Sequence, residues 1–177
     1  IRSGIWRDDP NWQTRAVLVL CPPQVGTIPT SLIGQNKLWG VSHDGIGPGL
    51  VRGDVFYSNW FVQPNYDWAN QPAVTDWQWL LIYEHPLWTT NLNWERQKEV
   101  AREKGIAIST AAQDAFALNL VLAATGTQLR RSTWSRTTTI CDGCPLGVDC
   151  RDGGVRVRQD FLPGGAGGQV AASVQGV

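Results

Sequence analysis

The 177-residue chain contains no methionine and few charged side chains. Charged residues make up 17%, below the roughly 25% typical of soluble domains, and fifteen basic side chains balance fifteen acidic ones. Such a chain has no net field to steer it to nucleic acid or to an anionic membrane. It also lacks an uninterrupted apolar stretch of the roughly 18–20 residues needed to cross a bilayer. We therefore expect no nucleic-acid partner and no membrane span.

Glycine (19) and proline (10) are abundant, which predicts long loops. The length suits one globular domain with a real core. We assign this domain to residues 1–161 and predict an α/β or α+β fold built on a mixed sheet. Residues 162–177 form a Gly/Ala-rich tail without charge, which becomes ordered only when something holds it. The holder is either the domain itself or a partner, and a homo-oligomer joined through the tail is one possibility.

The segment from about residue 77 to 109 has the pattern of a β-α-β unit. Trp79 to Tyr83 is a short apolar run typical of a strand buried on both faces. A helix follows, with Asn93 suited to its N-cap and Gly105 to the position after its end. Ile106 to Ile108 supplies a second apolar run. Two such runs joined by a helix favour a parallel pair with a right-handed crossover.

The clearest helix is predicted over residues 111–124. Thr110 and Gln113 have the spacing of a capping box, and Gly126 fits the end of the helix. Its interior is apolar nearly all round, which indicates a buried core helix rather than an amphipathic one. Fourteen residues span only ~21 Å, too short to cross a membrane.

The remaining segments carry weaker signals. Ala16 to Leu20 reads as an apolar strand, and Gly154 to Phe161 alternates like a half-exposed strand. From Gln24 to Gly53 the chain is loop-like, with Ser31 to Ile33 and Lys37 to Val41 as possible short strands.

The four cysteines allow three interpretations, because three of them, Cys141, Cys144 and Cys150, lie within ten residues while Cys21 is distant. The first is a disulfide staple that ties Cys21 to the cluster, worth roughly 4–5 kcal/mol on the chain-entropy model. The second is zinc, which requires Cys21 or a histidine as fourth ligand. The third is a redox pair, because a Cys-x-x-Cys arrangement lowers a thiol pKa.

We adopt the disulfide interpretation, which requires neither a metal nor a cofactor. Disulfides are typical of an oxidising compartment, so we expect a secreted or extracytoplasmic protein. The chain begins at Ile1 rather than at methionine, which indicates a removed leader or an excised domain.

Ten tryptophans are unusual for this length, and exposed indoles mark contact surfaces. Trp77 and Trp79 fall on one side of an extended segment, and Trp60 and Trp68 flank a loop. Our first hypothesis is a secreted or surface-exposed recognition or assembly module that binds a protein or glycan partner. The predicted binding residues are Trp60, Trp68, Trp77, Trp79 and Trp88.

Glu84 and His85 raise the alternative of an enzyme. They follow a very apolar strand, at the place where α/β sheets usually carry ligands. A carboxyl group among aromatic side chains is partly desolvated, which raises its pKa and suits a general acid. A glycan-directed hydrolase needs a second carboxylate, for which Asp54, Asp67 and Asp76 are candidates.

Residues 6–9 (Trp-Arg-Asp-Asp) and 97–99 (Gln-Lys-Glu) support a further alternative. They resemble the aromatic-Arg-x-Asp and Gln/Glu-x-Glu elements of ADP-ribosyltransferase toxins. The resemblance implies that Arg7 holds the phosphates of NAD and that Glu99 polarises the ribose, with Gln97 beside it. The Ser-Thr-Ser strand of such toxins is missing here, and our helix assignment puts Gln97 and Glu99 on a surface helix.

Overall fold

A computed structural model describes eight parts of the chain: residues 16–39, 61, 66–83, 92–130, 134–151, 154–159, 169–170 and 172–173. The helices in these parts are α1 (Leu32–Trp39), α2 (Asp67–Asn70), α3 (Trp94–Glu103) and α4 (Ala111–Thr125). The strands are β1 (Ala16–Cys21), β2 (Gln24–Val25), β3 (Ile28–Pro29), β4 (Gln78–Tyr83), β5 (Ala107–Ile108), β6 (Ser135–Cys141), β7 (Cys144–Arg151), β8 (Gly154–Gln159), β9 (Gln169–Val170) and β10 (Ala172–Ser173).

The predicted mixture of helices and sheets is confirmed, and the fold is α+β. The largest sheet has the strand order β8-β7-β6-β9 and is mixed, because β9 runs parallel to β6 while the other pairs are antiparallel. β1 and β4 form a separate antiparallel ribbon. Helix α4 contacts both the ribbon and the large sheet, so the main hydrophobic core surrounds this helix.

Helix α4 follows the sequence prediction closely. The Thr110 side chain accepts from the Gln113 N–H, and the Gln113 side chain accepts from the Thr110 N–H, which completes the capping box. Gly126 ends the helix with a left-handed φ of 71° that favours glycine. Every residue from 111 to 119 is buried, as an apolar surface on all sides requires. No helix in the described residues is long and apolar enough to cross a membrane.

The strand–helix–strand order of β4, α3 and β5 is confirmed, but the parallel pairing predicted for its two strands is wrong. β4 pairs antiparallel with β1 over six residues, and β5 pairs antiparallel with β10. β5 has only two residues, whereas β1 offers a full-length apolar partner. A longer ladder satisfies more backbone groups, and antiparallel pairing is slightly more stable per residue.

Helix α1 occupies a segment where we expected a loop with short strands. The Gln35 side chain is buried and donates to the carbonyls of Thr30 and Ala112, both at 2.8 Å. The Ser31 hydroxyl accepts from the Gly34 N–H at 3.0 Å. The Ser31 and Thr30 contacts stabilise the start of the helix locally, and the bond to Ala112 ties α1 to α4, 77 residues away.

The Cys-Asp-Gly-Cys sequence forms the turn between β6 and β7. Asp142 and Gly143 both have positive φ values, 50° and 78°, as a two-residue type I′ turn requires. Cys141 and Cys144 are therefore direct partners across the hairpin. An Asp-Gly pair between apolar runs is a strong hairpin signal, and it was the feature we missed in this segment.

The tail contributes two short strands to the fold. Gln169 and Val170 pair with β6, and Ala172 and Ser173 pair with β5. These four residues are therefore held by strands of their own chain.

Candidate contact surface

The β1–β4 ribbon has one face toward the core, and its other face is only partly open to solvent, because Leu81, which lies opposite Leu18 on that face, is buried. Side chains alternate across a strand, so Val19, Leu80 and Ile82 point inward and are buried. Leu18, Leu20 and Trp79 lie on the outer face, with exposed fractions of 49%, 37% and 41%. Trp77, just before β4, is 64% exposed. We call Leu18, Leu20, Trp77 and Trp79 the indole face.

The four side chains of the indole face are apolar, and one exposed charge adjoins them: the Asp76 carboxylate, which accepts from the Trp77 N–H at 2.7 Å. No charged residue occurs in β1 (AVLVLC) or β4 (QWLLIY). Leu20 lies directly opposite Trp79, and such cross-strand pairs form a continuous surface. Trp77 and Trp79, two of the predicted binding residues, therefore lie beside Leu18 and Leu20. The sequence analysis did not predict these two leucines as contact residues. β1 is apolar at every position, so its sequence did not reveal which face is covered.

The other predicted binding residues do not join this face. Trp68 is half-buried, packs against Tyr66 with ring centroids 5.2 Å apart, and its indole N–H donates to the Cys141 sulfur. Trp60, Trp88, Glu84 and His85 lie outside the described residues, and so does Asp54. The position of Glu84 relative to a second carboxylate, which the hydrolase hypothesis requires, therefore lies outside the described residues.

The predicted disulfides are wrong. All four cysteines, Cys21, Cys141, Cys144 and Cys150, are free, and no two sulfurs lie at bonding distance. The expectation of an oxidising compartment depended on these bridges and loses that support. The described residues also provide no evidence of secretion or of glycan binding.

The buried thiols are poor nucleophiles. Burial raises the pKa of Cys21 to about 12 and that of Cys150 to about 12. Burial also raises the Cys141 pKa, and the neighbouring Asp142 carboxylate raises it further. Because the thiolate is the reactive form, Cys21 and Cys150 are poor nucleophiles at neutral pH.

A buried ion pair joins the first turn of α4 to the segment after it. Arg130 donates to the Asp114 carboxylate, and both side chains are fully buried. Burial raises the pKa of Asp114, while the Arg130 charge acts in the opposite direction. Arg130 adopts a left-handed φ of 58°, which costs an L-residue on the order of 1 kcal/mol. A sealed pair of this kind serves the packing of α4 rather than chemistry on a solute.

A second polar cluster lies on the outer side of the large sheet. Arg158 and Arg136 stack on the Trp134 ring at 4.1 and 5.2 Å from its centroid. Gly147 permits this packing, because a Cβ there would lie 2.8 Å from the indole. Arg136 also donates to the Gln97 side chain at 3.0 Å. The cluster fixes α3 to the sheet, and sequence spacing gave no sign of it.

Gln97 and Glu99, the two candidate transferase residues on α3, lie in different surroundings. Gln97 is buried on the inner side of α3, where it accepts from Arg136. Glu99 is exposed and pairs with Arg96 at 2.8 Å. They do not converge on a cleft, and Arg7 lies outside the described residues.

In the described ranges, no group of three or more His, Cys, Asp or Glu side chains converges as a metal ion requires. No protein-family model, curated protein or solved structure matches the chain. Function must therefore be argued from the geometry of the described residues.

Proposed function

We propose that this protein acts by contact, as an assembly module, and that a second copy of the chain covers its indole face. The observation that carries the proposal is the exposure of Trp77 and Trp79 beside Leu18 and Leu20 on an uncharged ribbon. Exposed apolar groups scattered singly need no explanation, whereas a contiguous group with two indoles indicates an interaction site.

The size of the face supports a modest interface. Its four side chains expose roughly 400 Å² of mostly apolar surface, taking about 250 Å² for a whole indole. This is within the range of functional patches and about half of the roughly 800 Å² that each partner of a stable complex buries. Neighbouring polar residues must supply the rest, so we expect weak, concentration-dependent assembly.

The absence of charge favours a second copy over a charged partner. In a two-fold dimer the same patch meets itself, so a charged patch would face its own charge. The β1–β4 ribbon avoids this repulsion because neither strand carries a charge.

We place the contact on the ribbon and not on the tail. The described tail strands, β9 and β10, already pair with β6 and β5 of their own chain. The hydrolase hypothesis for Glu84 and the transferase hypothesis for Arg7 concern residues outside the described ranges and stay predictions.

Sedimentation equilibrium with two matched lysine variants tests the proposal. Leu18→Lys puts a charge on the indole face, whereas Ile140→Lys puts the same charge on β6 at a side chain of similar exposure, 45% against 49%. We expect Leu18→Lys to weaken self-association at least roughly tenfold, about 1.4 kcal/mol, and Ile140→Lys to leave it unchanged. A wild-type protein that stays monomeric at high concentration, or an equal effect of both variants, would refute the proposal.

A further inference from the structure

We propose that Cys141 and Cys144 form a two-thiolate site for a soft monovalent metal ion, of which Cu(I) is the biological example. The site is at the β6–β7 turn and is independent of the indole face.

The hairpin holds the two thiols in position before any ion binds. Cys141 and Cys144 are cross-strand partners, so their side chains leave the same face of the hairpin. The type I′ turn between them is tight, and the Gln159 side chain ties it to β8 by donating to the Cys141 carbonyl and the Asp142 carboxylate, both at 3.2 Å. A ligand pair fixed in this way loses little conformational freedom on binding.

The number of ligands selects the ion. Cys141 and Cys144 are register partners on the same side of the hairpin, and their sulfurs are not bonded to each other. Zinc needs four ligands, and no group of three or more ligating side chains converges in the described ranges. Soft thiolates select Cu(I), which accepts two sulfurs in a nearly linear complex.

The surroundings of the thiols fit a bound ion. The Cys141 thiol donates to the Asp142 carboxylate at 3.8 Å, a contact that orients its side chain at the turn. Binding breaks two S–H bonds, forms two Cu–S bonds and releases two protons to solvent, while copper stays Cu(I). Cys144 is only half-buried, so the ion can enter from its side.

Anaerobic competition between the protein and the Cu(I) chelator bicinchoninate tests the site. We expect one Cu(I) per chain, and a loss of affinity of at least about 100-fold in both Cys144→Ser and Cys141→Ser. Cys21→Ser, which changes a buried thiol on β1, is the matched control and should bind like the wild type. Thermal unfolding of each variant verifies that it is folded.

Fluorescence gives a second readout that needs no chelator. Cu(I) should quench emission from Trp68 in the wild type, and Cys144→Ser should abolish this quenching. Full affinity in Cys144→Ser, an equal loss in Cys21→Ser, or one copper per two chains would each overturn the proposal.

Discussion

The buried pair of Asp114 and Arg130 gives the sharpest stability prediction. Both side chains are fully buried, so Arg130→Met leaves a carboxyl group in the core without its cation. Removing one partner of such a pair costs about 3–5 kcal/mol. For a domain of this size, that loss lowers the melting temperature by roughly 6–20 °C. The cost of the left-handed backbone at residue 130 is the same in this variant, because methionine, like arginine, has a Cβ.

The pH dependence of the stability of the Arg130→Met variant shows whether the loss comes from the unpaired Asp114 carboxyl group or from lost packing alone. Without the arginine, the pKa of Asp114 rises further above its unfolded value, so the folded state binds a proton that the unfolded state releases. Its free energy of unfolding must therefore fall as pH rises through the folded pKa. Urea unfolding at about pH 5 and about pH 8 measures this change.

A charge-free double variant completes the test. Asp114→Leu combined with Arg130→Met removes both charges, and we expect its stability to return to within about 1 kcal/mol of the wild type, because apolar replacement of a buried ion pair is often neutral. An Arg130→Met variant that melts with the wild type, or a double variant less stable than Arg130→Met alone, would refute the reasoning.

Three further predictions follow from local contacts. Cys21 and Cys150, with pKa values of about 12, should resist a thiol reagent at neutral pH and react only after unfolding, as a timed thiol count measures. Gly34→Ala should destabilise the protein by about 1–3 kcal/mol or more in urea unfolding, because the new Cβ would lie 1.8 Å from the Pro29 carbonyl oxygen. Thr110→Ala should lower stability by about 1 kcal/mol through loss of the α4 cap, and Thr110→Ser should restore it.

Local sequence signals predicted the helices that begin and end with their own caps. Asn93 accepts from the Arg96 N–H at the start of α3, and Gly105 follows its end with a φ of 66°. The ends of α4 are marked in the same way, by the capping box of Thr110 and Gln113 at its start and by Gly126 at its end. These features depend on residues a few positions apart, so one sequence is sufficient to find them.

Pairings between distant segments could not be predicted in the same way. The sequence predicts β4 as a strand, but its partner β1 lies about sixty residues earlier. No feature of either strand's sequence indicates that the two pair. Helix α1 is tied to α4 by the hydrogen bond from Gln35 to the Ala112 carbonyl, a contact across 77 residues. The exposure of Leu18 and Trp79 follows from which side of the ribbon α4 covers, and that side is a property of the assembled core.

The cysteines were misread for a different reason. A Cys-x-x-Cys spacing is compatible with a disulfide, a metal site or a simple turn, and the spacing alone does not distinguish them. Asp142 and Gly143 carried the deciding information, because only such residues readily adopt the two positive φ values.

Hydroxyl-radical footprinting with mass spectrometry tests most directly whether a second copy covers the indole face. The oxidation rates of Trp77 and Trp79 are measured over a wide range of protein concentration, with half-buried Trp68 as the internal reference. The account predicts that Trp77 and Trp79 become protected as concentration rises, while the rate at Trp68 stays constant. Unchanged rates at Trp77 and Trp79 in a protein that does associate would place the contact elsewhere and contradict the account.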